Sequence, residues 1–124
     1  MLSLASTMRV FVATQPTDMR KSFDGLSSAA LSICAQDPLS GHLFAFFNRR
    51  RTMMKAVYWD RNGYALLAKR LEKGTFIVPD NSAGAVVELE PAELTLILEG
   101  IDLSNARVRP RWRRARHWGA ELRR

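Results

Sequence analysis

Apolar residues along this chain switch between two periods. Residues 8–14, Met-Arg-Val-Phe-Val-Ala-Thr, hold a single charge and read as a strand. Gln15-Pro16-Thr17 breaks it, and Thr17 or Asp18 suits a helix N-cap. From Asp18 the apolar positions fall at Met19, Phe23, Leu26, Ala30 and Ile33, the spacing of an amphipathic helix that ends before Asp37-Pro38. Gly25 inside it fits close packing against a sheet. His42–Phe47 and Met53–Trp59 are aromatic-rich runs around Asn48-Arg49-Arg50-Arg51-Thr52, which predicts a β-hairpin with three arginines at its tip.

Asp60-Arg61-Asn62-Gly63 is a second turn, in which Asn-Gly readily supplies positive φ. Ala, Leu and Lys dominate Tyr64–Lys73 and Gly74 follows as a C-cap, so a short helix is expected there. Thr75–Val78 and Ala85–Leu89 flank Pro79–Gly84 and read as a second hairpin. Glu90-Pro91-Ala92-Glu93 opens another helix, with Leu94, Ile97, Leu98 and Ile101 as its apolar face. The order β-α-β-β-α-β-β-α predicts a single small α+β domain over residues 1–104: a largely antiparallel sheet of hairpins packed by two or three helices. An Arg/Trp-rich tail, residues 105–124, follows. From Pro110 a helix would align Trp112, Ala115, Trp118, Gly119 and Leu122 on one stripe, but so short and self-repelling a segment is expected to be flexible.

Composition narrows the class. A chain of 124 residues, 47% hydrophobic and 25% charged, is about one ordinary globular domain. Its only cysteine, Cys34, excludes an intrachain disulfide or multi-cysteine zinc site and points to a reducing compartment. The longest apolar run, Leu43–Phe47, is far below the ~20 residues of a membrane helix, and no secretory-signal pattern opens the chain. A cytoplasmic protein without a membrane partner is expected.

The net charge of +7 is unevenly spread. Residues 1–40 are neutral, residues 41–74 carry eight basic and two acidic side chains, residues 75–106 carry six acidic and no basic ones, and residues 107–124 carry eight arginines and one acid. The acidic block can neutralise one basic block but not both, so exposed positive surface remains for an anionic partner.

Enzymatic signals are poor. The chain lacks Gly-x-Gly-x-x-Gly, P-loop, His-Glu-x-x-His and Gly-x-Ser-x-Gly motifs. Cys34 reads as a buried structural thiol; a nucleophilic pair with His42 or His117 finds no third orienting group, and the three residues are too scattered for a metal site. Asp18, Asp24 and Asp60 are the candidates for a metal-dependent nuclease, yet each has a simpler role as helix cap, exposed helix residue and turn residue. The macrodipole accounts for Glu88, Glu90 and Glu93, at a strand end and helix start. No catalytic residue, metal ligand or cofactor is assigned.

The basic features say more. Arg49, Arg50 and Arg51 sit at a hairpin tip, and Lys55, Arg61, Lys69, Arg70 and Lys73 follow within one supersecondary unit, interleaved with Tyr58, Trp59 and Tyr64. In the tail, Arg109, Arg111, Arg113, Arg114 and Arg116 surround Trp112. A solvated basic face over core aromatics is the plain alternative. The functional reading is a phosphate-contacting surface, with affinity from bidentate arginine contacts and counterion release and no encoded sequence preference.

Several ordered motifs are distinctive. Ala13-Thr14-Gln15-Pro16-Thr17-Asp18-Met19-Arg20-Lys21-Ser22-Phe23-Asp24-Gly25-Leu26, Asp37-Pro38-Leu39-Ser40-Gly41 through Phe44, Asn48-Arg49-Arg50-Arg51, Tyr58-Trp59-Asp60-Arg61-Asn62-Gly63, Lys69-Arg70-Leu71-Glu72-Lys73-Gly74 and Leu98-Glu99-Gly100-Ile101-Asp102 follow in that order. Together, over roughly residues 4–103, they resemble the TnpB-type, second-open-reading-frame protein of the insertion sequence 66 family of bacterial mobile elements. The resemblance implies a small accessory protein encoded beside a separate DDE-type transposase and required for efficient transposition, without catalytic residues of its own. The arginine-rich tail is longer than the short Arg/Pro/Trp stretch usual in that family. DNA and the transposase are the expected partners; the rival to DNA contact is an adaptor that binds the transposase alone.

Overall fold

The computed structural model describes residues 7–99 and 113–114. Strands β1 (Val10–Ala13), β2 (Leu43–Phe47), β3 (Met53–Trp59), β4 (Tyr64–Arg70), β5 (Val86–Leu89) and β6 (Arg113–Arg114) form one mixed sheet in the order β4-β3-β2-β1-β5-β6. Only β1 and β2 run parallel, because helix α1 (Phe23–Ser32) carries the chain from one to the other; the remaining pairs are antiparallel. Helix α2 (Pro91–Leu98) follows β5.

Alternation along the central strands divides the core. Phe11, Ala13, Phe44, Phe46 and Val57 pack under Leu26, Ala29, Ala30 and Cys34 on the α1 side. On the opposite face, Val10, Val12, Leu43, Ala45 and Phe47 pack with Phe76, Val78, Leu94, Ile97 and Leu98. With both faces covered, β1 and β2 are buried at every position, as the central strands of a three-layer arrangement must be.

Four sequence expectations are corrected. Tyr64–Lys73 is not a helix: β4 pairs with β3 at seven positions, from Trp59–Tyr64 to Met53–Arg70. Leu66 packs towards the α1-side cluster and Leu67 towards the other, so adjacent leucines serve opposite faces and hide the period of two. The turn at residues 60–63 delivers the chain in register and the ladder overrides the helix propensity of Ala, Leu and Lys. Gly74, at φ +76°, turns the chain after the strand rather than capping a helix.

Second, residues 75–78 do not form a hairpin with β5. Phe76 donates its N–H to the Arg51 carbonyl at 2.7 Å, while β5 pairs with β1; the intervening residues Asn81–Ala83 form a 3-10 turn capped by Asp80. Third, α1 starts at Phe23, not Asp18. The Asp18 carboxylate takes the Arg20 N–H and guanidinium, and Lys21 N–H bonds the Asp18 carbonyl, so the chain turns once more before the helix begins. The buried face is Leu26, Ala29 and Ala30 continued by Cys34, leaving Phe23 and Ile33 exposed. Gly25 sits against the Lys21 side chain rather than the sheet. Fourth, positive φ in the 60–63 turn falls on Arg61, at 57°.

The second helix starts as its sequence predicts. Pro91 occupies the first turn and Glu90 and Glu93 form a reciprocal capping box, with the Glu90 N–H on Glu93 Oε1 at 2.7 Å. Ile101 lies outside the described residues.

Candidate nucleic-acid interface

The tip between β2 and β3 is held by one side chain. Asn48 Oδ1 accepts the N–H groups of Thr52 and Met53 at 2.9 and 3.0 Å, and its Nδ2 donates to Thr52 Oγ1. Arg51 N–H closes the turn on the Asn48 carbonyl at 3.0 Å. Arg49 and Arg50 occupy the two central positions of that turn and are exposed, with no ion pair between them and any described residue. Asn48 therefore presents two neighbouring guanidiniums on a braced loop.

Arg51 behaves differently. It is half-buried in the left-handed conformation, φ +58°; its Nη1 donates to the Val78 carbonyl at 3.2 Å and its own carbonyl accepts Phe76 N–H. It ties the tip to the segment below. Lys55 and Lys69 are likewise engaged: Lys55 Nζ donates to the Lys21 carbonyl at 2.9 Å and Lys69 Nζ to the Leu98 carbonyl at 2.6 Å, where it meets the negative end of α2.

The end of β4 lies beside the tip, since Leu71 N–H bonds the Thr52 carbonyl at 2.8 Å. Arg70 and Lys73 are exposed there, Arg70 within 3.3 Å of Glu72. Arg61 is not part of this group: it occupies the turn at the far end of β3, about 20 Å away at ~3.3 Å per residue, beside Asp60 at 3.7 Å. The structure adds Lys21, exposed and in contact through its carbonyl with Lys55. No local charge pattern marks it, because thirty-four residues separate the two in the chain.

Of the tail candidates, Arg113 and Arg114 form β6, extended rather than helical, opposite Glu88 and Val87. Arg109, Arg111, Trp112 and Arg116 lie outside the described residues. Among the described residues, no three or more of His, Cys, Asp and Glu gather as metal ligands. Asp18 is bound to Arg20, which holds its carboxyl down to about 2, while burial pushes the Cys34 thiol up to about 12. No helix among the described residues is long and apolar enough to cross a membrane.

Comparison with known proteins assigns the family. The family model described as IS66 Orf2 like protein matches residues 8–108. The chain belongs to the IS66 Orf2-like family. Two proteins of Sinorhizobium fredii (strain NBRC 101917 / NGR234) are similar to it. Uncharacterized protein y4jC is 34% identical over 110 residues, covering 89% of this chain and 93% of that protein. Uncharacterized protein y4hO is 37% identical over 102 residues, covering 82% and 88%. No solved structure matches significantly. Membership places this IS66 Orf2-like chain among accessory proteins associated with transposition.

A titratable cluster lies away from the tip. His42 Nδ1 accepts the Arg9 N–H at 3.0 Å beside the Phe11 ring, and Arg9 makes a two-pronged ion pair with Glu88 at 2.6 and 2.8 Å. Burial, then the Arg9 charge, lowers the His42 pKa; Glu88 opposes them. The native state therefore favours neutral His42, whereas the unfolded chain takes up a proton near the ordinary value of 6.5. Stability contributed by the neutral ring is complete above that value and is lost as pH falls below it towards the lowered native value. His42→Asn keeps an acceptor for Arg9 but cannot titrate. As pH falls below 6.5, its urea-unfolding stability is expected to drop less steeply than the parent's, by less than one proton in slope; identical acid limbs would refute the assignment.

Proposed function

We propose that this protein is a non-catalytic accessory factor for DNA transposition that contacts DNA phosphates through Arg49 and Arg50, with Arg70 and Lys73 alongside. The braced, unpaired arginine pair is the observation that carries the reading. Two adjacent guanidiniums on a fixed turn suit successive backbone phosphates, which confer affinity without sequence choice. Arg51, Lys55 and Lys69 support this surface by holding the tip, the loop before α1 and the end of α2 in place. Arg109, Arg111, Trp112, Arg113, Arg114 and Arg116 add sequence-tolerant contacts, and Arg61 extends them on longer DNA. The test is binding of the full chain to element-end and scrambled duplexes across a salt series. Affinity should fall with log salt at about −0.9 per phosphate contact, equally for both sequences; a flat dependence would overturn the reading.

One observation favours a second partner. Phe23, Leu31, Ile33 and Leu39 are 41–58% exposed on and after α1, apolar area suited to the core of a protein interface. The element's own DDE-type transposase is the partner proposed for it, and copurification at high salt after nuclease treatment tests that pairing.

A further inference from the structure

A cavity of about 230 Å³ opens where β1 and β2 end, between the loop that leads to α1 and the arginine tip. It lies outside the carboxyl ends of the two parallel strands, the position at which ligand crevices form in sheets with parallel strands. Ala13, Pro16, Phe47 and Val78 supply apolar wall, and Gln15, Arg49 and Arg51 supply polar groups. The Gln15 amide and Arg49 guanidinium make no hydrogen bond with described residues, and Arg51 spends one of its five N–H donors on Val78. Asn48 also lines the cavity, but its side chain is committed to the tip. Thr17, next in the chain after Pro16, bonds through its N–H to the Phe47 carbonyl and has a buried Oγ1 without a partner.

Among the described residues, the lining holds two cations and no acid. Asp80 lies close enough to feel Arg51 but is engaged by Ser82 N–H and hydroxyl. Such a lining selects an anion. At ~30 Å³ per water, 230 Å³ holds about eight waters, far more than a phosphate group needs and less than a drug-sized ligand takes. Apolar wall, an amide and paired guanidiniums together suit a planar base attached to a phosphate. Bases in a duplex are stacked and paired, so only an unpaired nucleotide can enter.

The geometry points to a seat for one unpaired nucleotide of a DNA strand, with its phosphate on Arg49 and Arg51, its base against Pro16 and Val78, and Gln15 on the base edge. The inference rests on the nucleic-acid reading above but adds a preference that the exposed tip alone does not give. Gln15 is exposed, so Gln15→Glu puts a carboxylate at the mouth without disturbing the core. Asn62→Asp, in the exposed turn at the far end of β3, controls for the change in net charge.

Binding of a labelled pyrimidine 12-mer and of its duplex is measured for the full-length parent and both variants. The parent should favour the single strand, Gln15→Glu should lose about tenfold on it and much less on the duplex, and Asn62→Asp should match the parent. Equal binding of both probes, unaffected by Gln15→Glu, overturns the seat and leaves the phosphate-contacting surface standing. Binding of neither probe overturns both. Thymidine monophosphate should shift the Gln15 side-chain amide resonance in an NMR titration; an equal shift with inorganic phosphate overturns the role given to the base.

Discussion

Replacing Phe44 by alanine is expected to lower the unfolding free energy by about 3–5 kcal/mol, read as a drop in the urea midpoint. Phe44 is fully buried in β2 and stacks on Phe11, with centroids 5.5 Å apart and planes 16° from parallel. It belongs to the cluster that joins α1 to the sheet through Leu26, Ala29 and Ala30. Truncation removes most of a ring beneath a helix whose buried face includes Ala29 and Ala30, and alanines cannot close the void. Domains of this kind have about 5–15 kcal/mol in total, so the variant is expected to sit near the threshold of folding. Phe44→Leu keeps much of the volume and should cost less than half as much. Phe23→Ala is the contrast: this ring is 44% exposed at the start of α1, and its loss should cost about 1 kcal/mol or less. Equal losses at Phe23 and Phe44 would contradict the packing of α1 described above.

Periodicity is informative where a segment has one buried face and misleading where it has two. The β2–β3 hairpin was legible because aromatic runs flank a five-residue polar tip, and α2 because proline and a capping box announce its start. β4 was not, since Leu66 and Leu67 serve opposite clusters and an edge strand of Ala, Leu and Lys has the composition of a helix. Residues 75–78 have strand-like composition, but Phe76 and Val78 are buried beneath the tip without a strand partner in β5. At the candidate interface, sequence located the basic block but could not sort it. Arg49, Arg50 and Arg51 look equivalent in the chain, yet the third is drawn back onto Val78 by a left-handed backbone. Lys55 and Lys69 hold carbonyls contributed by residues about thirty positions away. Which cations are displayed and which are spent on the fold depends on long-range hydrogen bonds that no local pattern encodes.

That division gives the second large effect. Arg49 and Arg50 are exposed and bound to nothing described, so replacing both with alanine should leave urea unfolding unchanged to within about 0.5 kcal/mol. If each contacts a phosphate, the double variant loses two counterion-releasing contacts, and its log–log salt slope should be shallower than the parent's by about 1.8. The advantage of the parent should then shrink about twelvefold between 50 and 200 mM salt, from a loss well above about twelvefold at the lower concentration. Arg51→Ala should behave in the opposite sense. It removes the bond to Val78 and so lowers stability, and its effect on duplex binding comes through a loosened tip rather than a missing phosphate contact. Arg61→Ala, at the other end of β3, should leave the slope for a short duplex unchanged because so short a probe bound at the tip does not reach it. Parallel salt dependences for the parent and the Arg49/Arg50 variant would remove DNA phosphate from the tip. The exposed apolar surface of α1, and with it a protein partner, would then be the better account of how this accessory protein engages the transposition machinery.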